Sequence, residues 1–223
     1  MSSYNFSPDT GPAIAAHLID AGCVTVRSDE PFRLPSGWAS PVYMDCRRLI
    51  SFPETRRALV AAGVRRLDAG GALSGLTAVA GGESSGIALA AWIADALNLP
   101  LQYVRKRGMG ANRVEGVVLK DMKVLLVDDM MAAGASKAGF VSALRARGAR
   151  VHDLFVVFDY GILGADSLLD SLDLRLHALA NWRDVLAAAE ARNDFGRDAR
   201  IELAQFLENP SAWSSAHGGI GRA

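Results

Sequence analysis

The spacing of apolar residues changes near residue 70 and divides the chain into two regions. The first region contains three short runs with strand composition, at 23–26, 31–34 and 41–45. The second contains longer, nearly continuous apolar runs, at 76–80, 101–104, 123–127, 151–158 and 175–179. Apolar strands that alternate with helices are typical of a parallel sheet covered on both faces. We therefore predict an α/β fold, with a parallel sheet flanked by helices and a small antiparallel lobe before it.

Capping and breaking residues indicate where the helices begin and end. Ser7-Pro8-Asp9 is typical of a helix start, and this helix is expected to end near Gly22. Pro53 and Gly70 bracket a second helix in the same way. Later helices are predicted after Asn181 and over the remaining periodic segments, at 87–97, 136–147 and 198–207.

A chain of 223 residues suits one α/β domain with a small accessory region. We predict a single domain over 1–223, with the N-terminal lobe at about 1–50, the core at about 70–180 and a frayed C-terminus at 211–223. The 24 basic and 24 acidic residues leave no net formal charge, which argues against a nucleic-acid partner because such proteins are usually markedly basic.

Composition also bears on location and redox state. No apolar run reaches the roughly 18 residues of a membrane span, and the N-terminus lacks a secretion-signal pattern, so the expected location is the cytoplasm and no membrane partner is expected. Cys23 and Cys46 are expected to be reduced, packed side chains. The four histidines are scattered and suggest no metal site.

Two loops that follow predicted strands carry unusual residues. In an open parallel sheet, ligands bind beyond the carboxyl ends of the strands. Residues 81–87 (GGESSGI) form a glycine-rich turn whose backbone N–H groups can hold an anion, although a plain tight turn explains this segment equally well.

Residues 127–136 (VDDMMAAGAS) follow the most apolar run. Two adjacent acids that leave a buried strand need a cation or ligand hydroxyl groups. The small residues after them can wrap backbone N–H groups around a phosphate. The alternative is that Asp129 only caps a turn, but the two features together favour a ligand that carries both hydroxyl groups and a phosphate.

Three segments resemble motifs of the orotate phosphoribosyltransferases, a family of type I phosphoribosyltransferases. Residues 127–136 resemble the signature for phosphoribosyl pyrophosphate (PRPP), and residues 34–45 (LPSGWASPVYMD) are similar to the N-terminal substrate segment. Residues 103–106 and 114–116 look like the two ends of the family's mobile catalytic loop. The resemblance extends from about Phe32 to Trp182. It implies transfer of a phosphoribosyl group from PRPP to orotate, a Mg²⁺ cofactor, and a homodimer whose mobile loop reaches the neighbouring active site.

The resemblance also implies a role for each matched position. Asp128 and Asp129 are expected to face the ribose hydroxyls of PRPP, with Mg²⁺ bound mainly through substrate oxygens rather than directly by the protein. The 5′-phosphate is expected at the following turn, formed by Ala132, Ala133, Gly134, Ala135 and Ser136. The pyrophosphate is expected near Glu83, Ser84 and Ser85. The expected catalytic residues are Asp129, Arg105 and Lys106, the last two also binding pyrophosphate, and orotate is expected beside Tyr43, Met44, Ala132 and Tyr160.

The chain departs from the family pattern at several of these positions. Ala132 and Ala133 stand where the family usually has hydroxyl residues, and each lost hydroxyl bond to a phosphate is worth about 1.5–3 kcal/mol. The mobile loop at 105–113 looks about three residues shorter and lacks lysines that stabilise departing pyrophosphate. Pro35 replaces a lysine, and Tyr160 an orotate-binding arginine.

These departures predict reduced activity and leave two alternatives open. One is a catalytically impaired paralogue that binds PRPP or a nucleotide in a regulatory role. The other is a phosphoribosyltransferase that acts on a different base.

Overall fold

The computed structural model describes residues 9–27, 29–34, 36–108, 113–132, 134–161 and 165–221. Its N-terminal region consists of helix α1 (Gly11–Asp20) and strands β1 (Val24–Val26), β2 (Phe32–Arg33), β3 (Ala39–Ser40) and β4 (Val42–Met44). Strand β1 pairs with β4 and β2 pairs with β3, both antiparallel, so the predicted lobe is built from two ribbons. A 3₁₀ helix (Cys46–Ser51), which the sequence did not predict, leads out of this lobe.

Helix α2 (Pro53–Ala69) leads into a six-stranded sheet. The strands are β5 (Ala78–Gly82), β6 (Leu101–Val104), β7 (Val114–Glu115), β8 (Lys123–Met131), β9 (Arg150–Asp159) and β10 (Arg175–Asn181). Their order across the sheet is β10-β9-β8-β5-β6-β7. All neighbours are parallel except β6 and β7, which confirms the predicted parallel sheet.

Helices alternate with these strands along the chain. They are α3 (Ser85–Leu97), α4 (Ala135–Ala146), α5 (Asp166–Ser171), α6 (Trp182–Arg192), α7 (Arg197–Glu208) and α8 (Pro210–Ala216). Strand β8 shows how the sheet is buried, because successive side chains point to opposite faces. Leu125 joins a core cluster with Ile93 of α3, whereas Leu126 joins a second cluster with Phe140 of α4. Both faces of the sheet are therefore covered, and the α/β prediction is confirmed.

The C-terminal segment differs from the predicted frayed end. Asn209 caps helix α8 by accepting a hydrogen bond from the Ala212 N–H group. Trp213 packs edge-on against Phe206 of α7, and the Ser214 hydroxyl accepts the Ala39 N–H group at 2.9 Å. Packing against the N-terminal lobe orders a segment whose small, polar composition suggested fraying; residues 222–223 lie outside the described residues.

Two further expectations concern membrane spans and cysteines. Within the described ranges, no helix is both long enough and apolar enough to cross a membrane. Cys23 and Cys46 are free and buried, as predicted. Burial raises the pKa of the Cys23 thiol to about 11, so this sulfur stays protonated near neutral pH.

Candidate active site

The candidate site lies where the strand order changes direction. Strands β5 and β8 are neighbours, but the chain continues from β5 to β6 on one side and from β8 to β9 on the other. The connections that leave β5 and β8 therefore diverge and open a crevice at the carboxyl ends of these strands, where open α/β sheets bind ligands. Both loops that the sequence singled out lie at this position.

The acid pair Asp128 and Asp129 lies inside strand β8. Asp128 is opposite Val156 of β9 in the register, and the strand continues to Met131. The prediction that the acids leave the strand is therefore wrong, because β9 provides pairing partners beyond them. Asp128 is only 5% exposed, and its Oδ1 atom accepts the Asp129 N–H group at 3.0 Å.

Lys137 compensates the buried charge of Asp128. Its Nζ atom, in the first turn of helix α4, lies 2.5 Å from Asp128 Oδ2, and Lys137 is only 6% exposed. The sequence analysis missed this residue. A usable signal existed, because a cation near a helix N-terminus opposes the helix dipole and needs a nearby anion.

Asp129 is the titratable member of the pair near neutral pH. Burial, and after it the charge of Asp128, raise its pKa to about 6. Lys137 acts in the opposite direction, and a hydrogen bond from the Ser85 hydroxyl also favours the carboxylate. The site therefore holds one fixed ion pair beside one carboxyl group that changes charge near pH 6.

The turn after β5 packs directly onto the acid pair. A Cβ atom on Gly86 would lie 2.5 Å from the Val127 carbonyl oxygen and 3.0 Å from Asp128 Cα. Only glycine fits here, and the close approach brings Ser84 and Ser85 to the same crevice as Asp129. The turn and the acid pair, predicted separately, therefore form one site.

Glu83 connects this turn to the basic loop. Its carboxylate accepts the Lys106 N–H group at 2.5 Å. Arg105 makes an ion pair with Glu115 at 3.1 Å. The Arg113 Nε atom donates to the Arg105 carbonyl at 2.8 Å. The base of the predicted mobile loop is thus placed beside the crevice, whereas residues 109–112 lie outside the described residues.

The turn into helix α4 provides backbone donors. Gly134 precedes the helix with a φ of 77°, a left-handed conformation that favours glycine. Among the described residues, no side chain caps this helix start, although the Lys137 N–H group donates to the Gly134 carbonyl at 2.8 Å. Uncapped N–H groups at a helix start can hold an anion. Ala132 and Ser136 are half-buried beside the turn, the backbone of Ala135 begins the helix, and Ala133 lies outside the described residues.

The residues predicted to contact the base occupy two environments. Tyr43 is half-buried, with its ring 5.5 Å from that of Phe32. Met44 and Tyr160 are 2% and 3% exposed, and the Met44 N–H group donates to the Tyr160 hydroxyl at 3.2 Å. Burial raises the pKa of Tyr160 well above its ordinary value. Tyr160 therefore fixes the β4 segment to the core, and contact of these side chains with the base stays a prediction.

Arg47 is a second residue that the sequence analysis missed. It follows Cys46 in the 3₁₀ helix, and a narrow cleft of about 20 Å³ is lined by Cys46, Arg47, Ser85 and Asp129, among others. Arg47 also pairs with Asp45 at 2.6 Å, and this bond lowers the pKa of the Asp45 carboxyl. An exposed guanidinium, paired with Asp45, therefore lies next to the acid pair.

Two other observations limit the choice of site. A larger concavity of about 540 Å³ lies between α2 and β10, but its Arg65 is paired with Asp9. This concavity borders neither the acid pair nor the turn after β5. In the part of the chain that the structure describes, no group of three or more His, Cys, Asp or Glu side chains could hold a metal ion.

Comparison with known proteins agrees with this geometry. The family model for the phosphoribosyl transferase domain matches residues 72–167. The orotate phosphoribosyltransferase of Rhizobium johnstonii is 40% identical over 212 residues, which cover 93% of this chain and 91% of that protein. The crystal structure of orotate phosphoribosyltransferase from Aeropyrum pernix matches with a TM-score of 0.69 and 32% identity, over 79% of this chain and 99% of that one.

A longer protein also contains this fold. The structure of Leishmania donovani UMP synthase matches 90% of this chain with a TM-score of 0.76 and 25% identity, and the match spans 43% of that protein. The sheet, the acid pair and the phosphate turn thus define a phosphoribosyltransferase of type I. The 40% identity with an orotate phosphoribosyltransferase over 93% of this chain identifies the family within this class. The chain belongs to the orotate phosphoribosyltransferase family, and it is an enzyme of the glycosyltransferase class.

Proposed function

We propose that this protein transfers the phosphoribosyl group of PRPP to orotate, giving orotidine 5′-phosphate and pyrophosphate in pyrimidine nucleotide biosynthesis. The observation that carries the proposal is the buried acid pair at the switch point, beside a helix start that no described side chain caps. A ligand with ribose hydroxyls next to a 5′-phosphate matches these two features. The names of the relatives supply the acceptor base.

The described residues fit defined roles in this reaction. Asp129 accepts hydrogen bonds from the ribose hydroxyls, and the N–H groups at the start of α4 hold the 5′-phosphate. Glu83, Ser84 and Ser85 lie next to the pyrophosphate. Arg105 and Lys106 stabilise the charge that develops as pyrophosphate leaves. Catalysis then consists mainly of positioning and charge stabilisation around an oxocarbenium-like ribosyl centre.

Magnesium fits this site as a companion of the substrate. Mg²⁺ prefers carboxylate, phosphate and water oxygens, and it commonly keeps only one or two protein ligands. One carboxylate here is paired with Lys137, so Asp129 is the remaining acidic group that can face a hydrated ion. When bound, the ion neutralises part of the pyrophosphate charge.

The same proposal covers assembly, location and efficiency. We infer a cytoplasmic homodimer in which the loop at 105–113 reaches the partner's crevice. The short loop and the missing hydroxyls at Ala132 and Ala133 predict slower turnover and weaker PRPP binding than a family site that has them. Light scattering at micromolar concentration tests the dimer, and a purely monomeric protein contradicts it.

The Asp129→Asn variant tests the proposed reaction. The amide keeps one acceptor oxygen but loses the charge that ribose hydroxyls favour, so PRPP binding in the presence of Mg²⁺ is expected to weaken by about tenfold or more. Calorimetric titration with PRPP, followed by an absorbance assay for orotate consumption, measures both steps. Asp121→Asn, the same change at an exposed turn, is the matched control.

Three outcomes separate the alternatives. A parent protein that binds PRPP and consumes orotate supports the proposal. Binding of PRPP without orotate consumption indicates the regulatory paralogue or another base. Equal PRPP affinity of the Asp129→Asn variant and the parent contradicts the ribose-hydroxyl role.

A further inference from the structure

Two adjacent carboxylates inside a buried strand pose a problem for a site that binds a polyanion. PRPP carries phosphate and pyrophosphate groups, and like charges in a low-dielectric site repel strongly. Asp128 is only 5% exposed, so solvent screens its charge poorly. A cation is needed close by, and Lys137 is placed there by the first turn of α4, 2.5 Å from Asp128 Oδ2.

The geometry assigns different tasks to the two acids. Asp128 Oδ2 accepts from Lys137, and Asp128 Oδ1 accepts the Asp129 N–H group at 3.0 Å. Both oxygens of Asp128 are therefore engaged by the protein. Asp129 uses its Oδ1 atom for the Met130 N–H group at 2.9 Å and lies along the cleft that also contains Ser85. Asp129 is thus the acid that faces the ligand.

We propose that Lys137 is a positioning residue for PRPP binding, which neutralises and holds Asp128 beside Asp129, the acid that lines the cleft and meets the ribose hydroxyls. This inference rests on the proposed function. It goes beyond the family motif, which assigns both acids to the ribose and gives no task to the residue that follows Ser136.

Direct contact of Lys137 with phosphate is the competing explanation. Its ammonium is buried and is already bonded to Asp128 Oδ2. Arg47 and Cys46 are the other titratable groups that face Asp129, and they belong to the 3₁₀ helix on the far side of the cleft. Loss of Lys137 therefore changes the charge of the acid pair without removing any other cation from its surroundings.

Calorimetric titration with PRPP and Mg²⁺ between about pH 5.5 and 8.5 tests the proposal. Lys137→Met is expected to weaken binding at pH 8 by about tenfold or more, since one buried charge loses its partner. The pH midpoint of binding is expected to rise by about one unit, because a like charge next to Asp129 is no longer compensated. The phosphates of PRPP titrate in the same range, but they contribute equally to all variants.

Three further variants make the test specific. Lys137→Arg keeps the charge and is expected to keep the parent's midpoint. Asp128→Asn removes the group that Lys137 holds, so adding Lys137→Met to it is expected to cost much less affinity at pH 8 than it costs in the parent, while the direct effect of the Lys137 charge on Asp129 still raises the midpoint. Lys120→Met, an exposed lysine, is the control and is expected to match the parent.

Each outcome decides a separate point. A parent that does not bind PRPP overturns the proposed function and this inference with it. A parent that binds, with Lys137→Met unchanged in affinity and midpoint, overturns the inference alone. A loss of affinity at pH 8 that is as large in the Asp128→Asn background as in the parent shows that Lys137 does not act through Asp128 and also overturns it. If Lys137→Met does not fold, Lys137→Arg and the Asp128→Asn pair of variants give the same decision.

Discussion

The Asp129→Asn substitution is expected to stabilise the fold at neutral pH even though it weakens PRPP binding. Burial and the charge of Asp128 raise the pKa of Asp129 to about 6. An aspartate in an unfolded chain has a pKa of about 3.9. Folding therefore favours the protonated carboxyl group. The contribution of this group to the free energy of unfolding is complete below about pH 4 and is lost as the pH rises through about 6.

The magnitude follows from the difference between the two pKa values. About two units correspond to about 2–3 kcal/mol of unfolding free energy at pH 8, or roughly 5–10 °C in Tm for a chain of this length. The amide keeps an oxygen for the Met130 N–H group and leaves the Asp128–Lys137 pair intact. The variant therefore removes the charge and keeps this backbone bond, and the Ser85 hydroxyl oxygen can accept from the new amide N–H group.

Urea unfolding of the parent and the variant from pH 4 to pH 8 measures this effect. The variant is expected to gain stability over the parent as pH rises, and the two are expected to converge at pH 4. Asp121→Asn, at an exposed turn, is expected to follow the parent throughout. A variant that is no more stable than the parent at pH 8 would refute the reasoning, because it would show that the buried charge carries no penalty.

Three more substitutions test the contacts around the crevice. Gly86→Ala places a Cβ atom 2.5 Å from the Val127 carbonyl oxygen, so it is expected to destabilise the fold by about 1–3 kcal/mol and to weaken PRPP binding. Gly196→Ala, where the Cβ atom meets open space, is the control. Equal thermal unfolding of the two variants contradicts the close packing. Tyr160→Phe leaves the buried Met44 N–H group without its acceptor and is expected to cost about 1–3 kcal/mol in urea unfolding, so an unchanged midpoint argues against this bond. Ala132→Thr adds a hydroxyl beside the phosphate turn and is expected to lower KM for PRPP by about tenfold in steady-state kinetics, whereas an unchanged KM places the phosphate elsewhere.

The parallel sheet was predictable because its strands carry a local signal. Residues 101–104 match strand β6 at both ends. Helix α3 begins at Ser85, two residues before the predicted start, because the turn after β5 tightens directly into the helix. Such boundary differences come from backbone contacts that composition does not encode.

The interior of the site was less predictable because the cation that compensates its buried carboxylate is distant along the chain. The sequence placed the end of β8 before Asp128, since a buried acid in a strand is unfavourable unless it has a partner. The partner is Lys137, nine residues later and in a helix, so only the fold shows that it reaches back. Strand β7 has two residues and exists through pairing with β6, which likewise cannot be seen from the run itself.

The proposed phosphate contacts come from the backbone, whereas the proposed ribose contacts come from side chains. This division explains how the altered turn at 132–136 still fits the reaction. Hydroxyl donors at positions such as Ala132 are absent, yet the N–H groups at the start of α4 belong to the main chain, and no substitution except to proline removes them. The charge that we propose recognises the ribose is carried by side chains instead, at Asp129, with the Asp128–Lys137 pair beside it. Phosphate affinity is therefore expected to vary gradually with changes in the turn. Recognition of the ribose depends on the charge balance of three buried groups and is expected to fail sharply when any one of them is changed.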